Sequence, residues 1–339
     1  MIDLLTARNE DLNIGMQLLR DEFIKKGWKA RSAYIGSAII HIDRGDGKIM
    51  TVFSTTPPTT SYGAGYMAND KFATYTLLES IGARQLESAI VTERVGIEDA
   101  VALMNRVGLV VVKPIDGGHG KGITVGVSSR EQLEIAVEYA RSFTKSSNRV
   151  LVQKQYPHEK MYDIRLACID GKFVAATWRT PATIVGDGIQ TVGEIIDREN
   201  ESDKRGVPYY ALLATIDVDS AKNYLGEKYN SVPEVDEEVQ VIGVANYGAG
   251  GEIIDATDDI PEWMIVEAER VSRAAGLYVS GVDYLLAQPP RVDATINELD
   301  PVIIELNKCP SLAIHDTPTR GKARGAVAAY VEYLSKIDI

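Results

Sequence analysis

The architecture of this chain is best inferred from the stretch Val110-Val111-Val112-Lys113-Pro114-Ile115-Asp116-Gly117-Gly118-His119-Gly120-Lys121-Gly122-Ile123-Thr124-Val125. A β-branched run ends in Lys113, a turn with four glycines in six residues follows, and a second β-branched run begins at Ile123. This order predicts a strand, a glycine-rich loop and a second strand. Glycines let the backbone approach a ligand closely, and successive N–H groups form a concave anion site. With a lysine at each edge, the loop suits a polyphosphate.

Two common phosphate-binding patterns do not describe this loop. The spacing G-x-x-x-x-G-K-[ST] fails because Gly122 follows Lys121. The dinucleotide pattern G-x-G-x-x-G also fails, and that loop opens a helix instead of a second strand. The sequence therefore predicts a hairpin that covers phosphates, and the alternative for this stretch alone is a flexible structural hairpin.

Composition sets the broad class of the protein. At 339 residues the chain is long enough for two or three packed lobes, and its 45% hydrophobic and 25% charged residues are typical of folded proteins. No apolar run could span a bilayer, and residues 1–5 lack signal-peptide features. Two cysteines, Cys168 and Cys309, make no disulfide framework, so we expect a cytoplasmic protein. A net charge of −12 argues against binding to nucleic acid or anionic membranes.

Residues 1–66 form an N-terminal α/β unit without recognisable chemistry. Apolar residues at helical spacing predict a helix that Gly27 ends, and two strands follow around Gly45-Asp46-Gly47. A scaffold or dimer-forming role is the simplest interpretation, and we expect a homo-oligomer, a dimer. The helical residues are Leu12, Met16, Leu19 and Phe23.

The next predicted helix carries Lys71 in its first turn, with Asn69 as its N-cap. A lysine there opposes the helix dipole, which favours an anionic partner for Lys71. An exposed surface lysine without a ligand is the alternative. Farther along, residues 199–238 are polar and irregular, and they suggest an inserted arm or lid.

Three oxygen-bearing side chains interrupt apolar strands near the end of the chain. Glu305 and Asn307 are two residues apart, so they point to the same face of one predicted strand, and Asp283 interrupts another. Carboxylates and amides facing a buried side are costly unless a ligand satisfies them. Such a set suits Mg²⁺ held together with nucleotide phosphates. Strand-end residues that face solvent are the alternative.

Several motifs, in order over residues 67–325, together resemble the ATP-grasp ligases, and in particular the branch with cyanophycin synthetase and bifunctional glutathione synthetase. These motifs are Val111-Val112-Lys113-Pro114 with the glycine turn, Asp163-Ile164-Arg165, Arg179-Thr180-Pro181-Ala182, Pro181 to Gly188 with Thr191 and Glu194, Asn246 with Gly250-Gly251, Asp255 with Thr257-Asp258, Glu305-Leu306-Asn307-x-x-Pro310 and His315 to Arg324. The resemblance implies an α+β fold in which two α+β lobes grip ATP. It divides the chain into residues 1–66, an N-lobe at 67–155, and a C-lobe at 156–339 with a mobile segment at 180–235.

The resemblance also implies roles for individual residues. The phosphates of ATP would contact Lys71 and Lys113, and the loop would close over them through Gly117, Gly118, His119, Gly120 and Gly122. Adenine would meet Gln153, Lys154 and Tyr156, and the ribose would meet Asp163. Mg²⁺ would be held by Asp283, Glu305 and Asn307. The catalytic residues would be Arg165, Arg179 and Lys113, and substrate would contact Gly186, Asn246, His315, Arg320, Lys322 and Arg324.

The implied activity is an ATP-dependent ligation through an acylphosphate, which joins an amino-acid or short-peptide carboxylate to an amine and releases ADP and phosphate. Two alternatives stay open: a kinase that makes a stable phosphorylated product, and a non-catalytic ATP-binding module. The sequence departs from the family at Gln153, Gly248 and Lys308-Cys309-Pro310-Ser311. These positions lie near predicted nucleotide or substrate contacts, so the acid and the amine are left open.

Overall fold

The computed structural model describes residues 1–117, 121–144, 148–243, 245 and 247–338. Helices alternate with separate sheets, which are antiparallel apart from one short parallel strand pair, and this confirms the predicted α+β class. Four residues of the predicted site, Gly118, His119, Gly120 and Asn246, lie outside the described residues.

The N-terminal unit is an antiparallel sheet, in the order β1-β2-β3-β4, covered by one long helix. The helix is capped by the Asn13 side chain, and Gly27 ends it with a φ of 69°. That left-handed conformation favours glycine and explains why the helix stops there. The elements are β1 (Ile2–Asp3), α1 (Ile14–Lys26), β2 (Lys29–Ser32), β3 (Ile39–Asp43) and β4 (Ile49–Phe53).

Two short helices follow, α2 (Tyr62–Asn69) and α3 (Lys71–Ser80). The N-cap of α3 is Asp70, whose carboxylate accepts hydrogen bonds from the backbone N–H groups of Phe72 and Ala73. The prediction of Asn69 as the cap was wrong by one residue, because Asn69 instead ends α2. Lys71 is therefore the first residue of α3, as expected.

The glycine loop joins two antiparallel strands, which confirms the predicted hairpin. Its sheet has the order β5-β8-β6-β7 and packs against two amphipathic helices. The elements are β5 (Ser88–Val91), α4 (Glu98–Val107), β6 (Val110–Pro114), β7 (Thr124–Val127), α5 (Arg130–Arg141) and β8 (Val150–Lys154).

A second hairpin starts the next sheet, with β9 (Tyr162–Ile169) and β10 (Lys172–Arg179) joined through Asp170 and Gly171. An inserted unit with its own small apolar core follows. Its elements are β11 (Thr183–Val185), α6 (Val192–Asn200), β12 (Arg205–Gly206), β13 (Leu213–Ala214), α7 (Val218–Leu225) and β14 (Glu238–Gln240). Residues 199–238, which the sequence suggested to be irregular, thus contain β12, β13 and α7.

The remaining elements complete the sheet of the second lobe. Its strand order is β15-β10-β9-β16-β17, so β9 and β16 lie at its centre. The elements are β15 (Ile253–Asp255), α8 (Glu262–Ala274), β16 (Val279–Leu286), α9 (Ile296–Leu299), β17 (Val302–Asn307), α10 (Ala313–Asp316) and α11 (Ala326–Lys336).

The apolar cores connect parts of the chain that are far apart in sequence. The N-terminal unit and α11 share one core, which also contains Ala167 and Val279 from the central strands. Helices α2 and α3 pack into the core between α8 and the same sheet. In the described part of the chain, every helix is too short or too polar to cross a membrane.

Candidate active site

Three neighbouring strands bring charged side chains into one row across the central sheet. Asp283 on β16 lies opposite Arg165 on β9 and, on its other side, opposite Glu305 on β17. Residues that face each other across antiparallel strands point to the same side of the sheet. Asn307 is two residues beyond Glu305, opposite Gly281, and shares that face. The register therefore places on one face the three side chains that the sequence proposes as metal ligands.

Asp283 is held by two guanidinium groups. Arg165 donates from Nε and Nη2 to the two carboxylate oxygens, at 2.7 Å each, and Arg179 Nη2 donates to Oδ2 at 2.8 Å. The Asp283 side chain is 1% exposed. Burial opposes its ionisation, but the charges and hydrogen bonds of Arg165 and Arg179 outweigh burial and lower its pKa. Asp283 is thus a carboxylate balanced by two cations.

Asp163 joins the same network, but its carboxylate is hydrogen-bonded by one arginine, whereas that of Asp283 is hydrogen-bonded by two. It accepts hydrogen bonds from Arg179 Nε, at 3.0 Å, and from Arg179 Nη2. Burial raises the pKa of Asp163 to about 6, against the opposing charge of Arg179, and the nearby Asp283 raises it further. The expected ribose ligand therefore lies, in this structure, in contact with an arginine that is also expected to be catalytic.

The network depends on a missing side chain at Gly281. A Cβ added there would lie 3.2 Å from Arg165 Cδ and 3.3 Å from Pro310 Cβ. Gly281 therefore leaves the space through which Arg165 reaches Asp283. Sequence reasoning missed this residue, although a glycine within the apolar run before Asp283 was a visible signal for close packing.

Lys71 connects the glycine loop to the central sheet. Its Nζ lies 2.9 Å from the Gly117 carbonyl oxygen and 3.2 Å from Glu305 Oε1. One ammonium group on α3 therefore touches both the start of the loop and β17. The expected anion-binding helix start and the expected metal-binding strand meet at this point.

Lys113 lies close to Lys71 and is half-buried. Its Nζ donates to Gln153 Oε1 at 2.9 Å, and Gln153 Nε2 donates in turn to Ser88 Oγ at 2.9 Å. Burial lowers the pKa of Lys113 to about 8; the charge of Lys71 lowers it and that of Glu305 raises it. Two nearby cations with one carboxylate form a site that an anion would stabilise.

The residues at the end of β17 fit a hard cation in part. Glu305 is 34% exposed and its carboxylate faces Lys71. The Asn307 amide nitrogen is buried without a hydrogen-bond partner among the described residues, and such a group is costly unless a ligand or water satisfies it. An acceptor such as a phosphate oxygen would satisfy this Asn307 N–H group, and the Asn307 amide oxygen and the Glu305 carboxylate are oxygen ligands of the kind that suits Mg²⁺. Both oxygens of Asp283, in contrast, accept hydrogen bonds from arginines. No three His, Cys, Asp or Glu side chains in the described ranges are grouped to hold a metal by themselves.

The predicted adenine residues lie on both sides of the link between the lobes. Gln153 points toward Lys113, as described above. Lys154 and Tyr156 line a separate cavity of about 250 Å³. The Tyr156 hydroxyl donates to the Asp300 carbonyl oxygen at 2.7 Å, which joins the segment between β8 and β9 to the residues just before β17.

The basic C-terminal motif packs against acidic side chains of its own chain. Arg324 contacts Asp255 and Asp258 at 2.6 and 2.7 Å, Lys322 contacts Asp258 at 3.2 Å, and Arg320 contacts Glu252 at 2.8 Å. The sequence proposed the three basic residues as substrate contacts, and the structure gives each an internal partner. The acidic partners were missed as site residues, although Asp255-x-Thr257-Asp258 was part of the recognised motif.

His315 differs from the other residues of that motif because it is fully buried. Neither ring nitrogen has a hydrogen-bond partner among the described residues. Burial lowers the pKa of His315 to about 3, and the positive charge of Arg165 lowers it further. His315 is therefore a neutral imidazole beside the arginine network.

The described glycines of the predicted site have clear packing roles. At Gly117 a Cβ would lie 2.4 Å from Pro114 Cγ, and at Gly122, with a φ of 73°, it would lie 2.8 Å from Phe143 Cβ. At Gly186 it would lie 2.1 Å from the Glu234 carbonyl oxygen. Gly186 thus lets two segments of the inserted unit pack together, and its proposed substrate contact stays a prediction.

Comparison with known proteins agrees with this architecture. Residues 81–192 match the family described as prokaryotic glutathione synthetase, ATP-grasp domain. This match covers about a third of the chain and, together with the two sheets and the glycine hairpin, it shows that the chain has the ATP-grasp fold.

Particular relatives are similar over most of this chain. Cyanophycin synthetase from Trichormus variabilis is 32% identical over 272 residues, which are 79% of this chain and 29% of that protein. The glutathione biosynthesis bifunctional protein from Pasteurella multocida is 30% identical over 278 residues, 78% of this chain and 35% of that protein. The crystal structure of a bifunctional glutathione synthetase from Pasteurella multocida has a TM-score of 0.68 and 25% identity, covering 95% of this chain and 44% of that chain. The chain thus spans less than half the length of these relatives.

Proposed function

We propose that this chain is a Mg²⁺- and ATP-dependent ligase that joins the carboxylate of an amino acid or short peptide to an amine. The observation that carries the proposal is the position of Lys71, whose ammonium contacts both the Gly117 carbonyl and the Glu305 carboxylate. A loop suited to phosphates and a strand suited to a cation therefore reach the same point. A triphosphate bound between them would be held from both lobes.

Lys71 and Lys113 are the proposed phosphate contacts. Their proximity is unfavourable without an anion, so a triphosphate would raise the pKa of Lys113 and keep it charged. Glu305 and Asn307 are the proposed Mg²⁺ ligands, and Asp283 would join them only by giving up a hydrogen bond from an arginine. The bound ion would neutralise phosphate charge during transfer.

Arg165 and Arg179 are proposed to stabilise developing negative charge. A carboxylate oxygen of the substrate attacks the γ-phosphorus, the bond to ADP breaks, and an acylphosphate forms. An amine nitrogen then attacks the acyl carbon, loses a proton and displaces phosphate. Both arginines are largely buried, with Arg165 paired to Asp283 and Arg179 paired to Asp163 and Asp283, so they need little reorganisation as charge develops.

The same proposal assigns the units at residues 1–66, 67–155 and 156–339. The segment at 180–235, together with the glycine loop, would exclude water from the acylphosphate. We also propose that the protein is cytoplasmic and that it forms a homodimer. Light scattering of the purified protein would test the dimer.

The deciding experiment measures ADP and free phosphate with pairs of amino acids and dipeptides. A ligase releases both products only when carboxylate and amine are present together. A kinase releases ADP and a phosphorylated product without free phosphate, and a binding module binds ATP without turnover. The Glu305→Ala variant should fold and lose turnover, and full activity in that variant would overturn the proposed metal ligand.

A further inference from the structure

A cavity of about 280 Å³ lies where the N-terminal unit, the inserted unit and the loop after β17 meet. Its walls include Leu19 and Ser54 from the first unit, Tyr209 and Tyr247 from the second, and Ser311 from the loop. We propose that this cavity, here called the side-chain pocket, binds an uncharged and mainly apolar side chain of the substrate. The inference rests on the proposed ligase function and names the substrate class of that site.

The side-chain pocket adjoins the arginine network. Its wall residue Pro310 would be 3.3 Å from a Cβ at Gly281, the glycine that makes room for Arg165. A second wall residue, Ile253, pairs directly with Arg179 across the sheet. A substrate whose reacting carbon lies beside the two arginines could therefore place its side chain in the pocket.

The described residues that line the pocket are uncharged. Among the described residues, those that line the pocket include no Lys, Arg, His, Asp or Glu side chain. A charged side chain placed there would lose its hydration without gaining a partner, which strongly disfavours binding. The contrast with the neighbouring arginine network makes the pocket selective against charge.

Several polar groups of the lining are already occupied within the chain. Thr55 Oγ1 donates to the Pro310 carbonyl oxygen at 2.6 Å, and Thr317 Oγ1 donates to the Ala313 carbonyl oxygen at 2.9 Å. The Tyr247 hydroxyl donates to the Ala211 carbonyl oxygen. The hydroxyl protons of these three lining residues are therefore already used within the chain.

The size and shape suit one amino-acid side chain. A volume of 280 Å³ is below that of most drug-sized sites, which start near roughly 300 Å³. The rings of Tyr209 and Tyr247, with centroids 5.6 Å apart, line the pocket together with the apolar Leu19 and Val327. A long aliphatic or an aromatic side chain fills such a space and gains dispersion contacts.

The pocket also gives the N-terminal unit a part in specificity. Residues 13–15 at the start of α1, with Leu19, Ser54 and Thr55, contribute one side of the wall. The Ile14 N–H donates to the Tyr209 carbonyl oxygen at 2.9 Å, which fixes the inserted unit against α1 at the pocket. The Cys309-Pro310-Ser311 segment, where the sequence departs from its family, forms the floor.

The test compares amino acids of matched shape that differ in charge. Two pairs are compared, norleucine against lysine and leucine against aspartate. Each amino acid is supplied separately as the carboxylate substrate, with ATP and the same amine, and ADP release is measured. We expect kcat/KM to be at least about tenfold higher for the neutral member of each pair, because the lining provides no counter-charge. Equal values within both pairs would overturn the inference.

A charge-placement variant sharpens the test. Ser311→Lys should lower kcat/KM for leucine about tenfold or more and improve aspartate relative to leucine, whereas the uncharged Ser311→Gln should leave that preference as in the wild type. Thermal unfolding of each variant without ligand checks that it is folded. A uniform loss for all substrates in both variants would contradict a charge-selective pocket.

Equilibrium binding separates this inference from the proposed ligase function. Thermal shifts are measured with norleucine and lysine at equal concentrations, in the presence of ADP and Mg²⁺. Selective stabilisation by norleucine that Ser311→Lys removes supports the pocket even if no amino-acid pair is ligated, in which case only the proposed reaction fails. Turnover or binding without preference for the neutral member overturns the pocket and leaves the ligase proposal standing.

Discussion

Two carboxylates on the same face of the central sheet differ in what they do for the fold. Asp283 is 1% exposed and balances two guanidiniums, whereas Glu305 is 34% exposed and pairs with one lysine. Removing one partner of a buried ion pair costs about 3–5 kcal/mol, because it leaves an uncompensated charge. Removing a more exposed pair costs about 0–1 kcal/mol.

The first prediction compares Asp283→Asn with Glu305→Gln. Asp283→Asn should lower the free energy of unfolding by about 3 kcal/mol or more, because Arg165 and Arg179 lose their shared counter-charge. Glu305→Gln should change it by less than about 1 kcal/mol while abolishing ligation. Urea unfolding and ADP release measure the two effects. Equal destabilisation by both substitutions would show that the ion pairs of Asp283 stabilise the fold no more than the ion pair of Glu305 does.

The second prediction concerns His315, whose pKa is lowered by burial from 6.5 to about 3. Between these values the unfolded chain binds a proton that the folded protein does not, so stability falls as the pH falls from about 6.5 toward 3. His315→Asn removes this contribution. The wild type should therefore lose more stability than the variant between pH 7 and pH 4.5, as measured by urea unfolding. At pH 8 His315 is neutral in both states, so the difference measured there is the reference.

The third prediction concerns Lys113, whose pKa of about 8 results mainly from burial. In the proposed role as a phosphate contact Lys113 would act in its charged form, and the population of that form falls as the pH rises above about 8. Affinity for ATP should fall by up to about tenfold per pH unit above pH 8. Lys113→Arg carries a permanent charge and should flatten this dependence. Calorimetry at pH 7, 8 and 9 measures both proteins, and parallel slopes would exclude Lys113 as the titrating contact.

Residue types at the candidate site could be predicted from the sequence, but their partners could not. Arg165 and Arg179 were expected to face a phosphoryl group, and Asp283 a metal ion, whereas the structure pairs them with one another. The pairing depends on the register between strands 118 residues apart in sequence, which no local pattern specifies. The missing Cβ at Gly281 likewise matters only once β9 lies beside β16.

At the scale of elements, the sequence predicted where helices and hairpins occur better than where they begin. The hairpin between β9 and β10 turns at Asp170-Gly171, a dipeptide typical of tight turns, and both residues adopt positive φ angles of 56° and 64°. The start of α3 was misplaced because Asn69 and Asp70 are both good caps, and only the end of α2 decides between them. The inserted unit was expected to be irregular because its short elements are too brief for a periodic signal.

The fourth prediction tests how the cap of α3 holds Lys71 in place. Asp70 caps the helix and also forms an ion pair with Arg149 at 2.6 Å. Asp70→Asn keeps an oxygen for the cap but loses the charge, whereas Asp70→Ala loses both. The alanine variant should be less stable than the asparagine variant by about 1 kcal/mol. It should also bind ATP more weakly, because Lys71 is the first residue of the helix.

At the scale of the whole molecule, the N-terminal unit is part of a core shared with the end of the chain. Sequence analysis treated residues 1–66 as a separate scaffold, because an apolar helix face does not reveal what covers it. In the structure that face packs with α11, and Phe23 and Tyr330 belong to one cluster of buried side chains. The packing of α11 thus fixes the N-terminal unit, which also forms one wall of the side-chain pocket.

The fifth prediction follows from this shared core. Phe23 is fully buried in it, whereas its neighbour Ile24 is 51% exposed, so Phe23→Ala and Ile24→Ala form a matched pair. Phe23→Ala should lower the free energy of unfolding by about 3–5 kcal/mol. It should also lower the unfolding temperature of the whole second lobe, because α11 and the central strands lose packing together with α1. Ile24→Ala should change stability by no more than about 0.5 kcal/mol. Calorimetry distinguishes the two cases, since an early separate transition in Phe23→Ala, with the main transition unchanged, would show that the N-terminal unit unfolds independently.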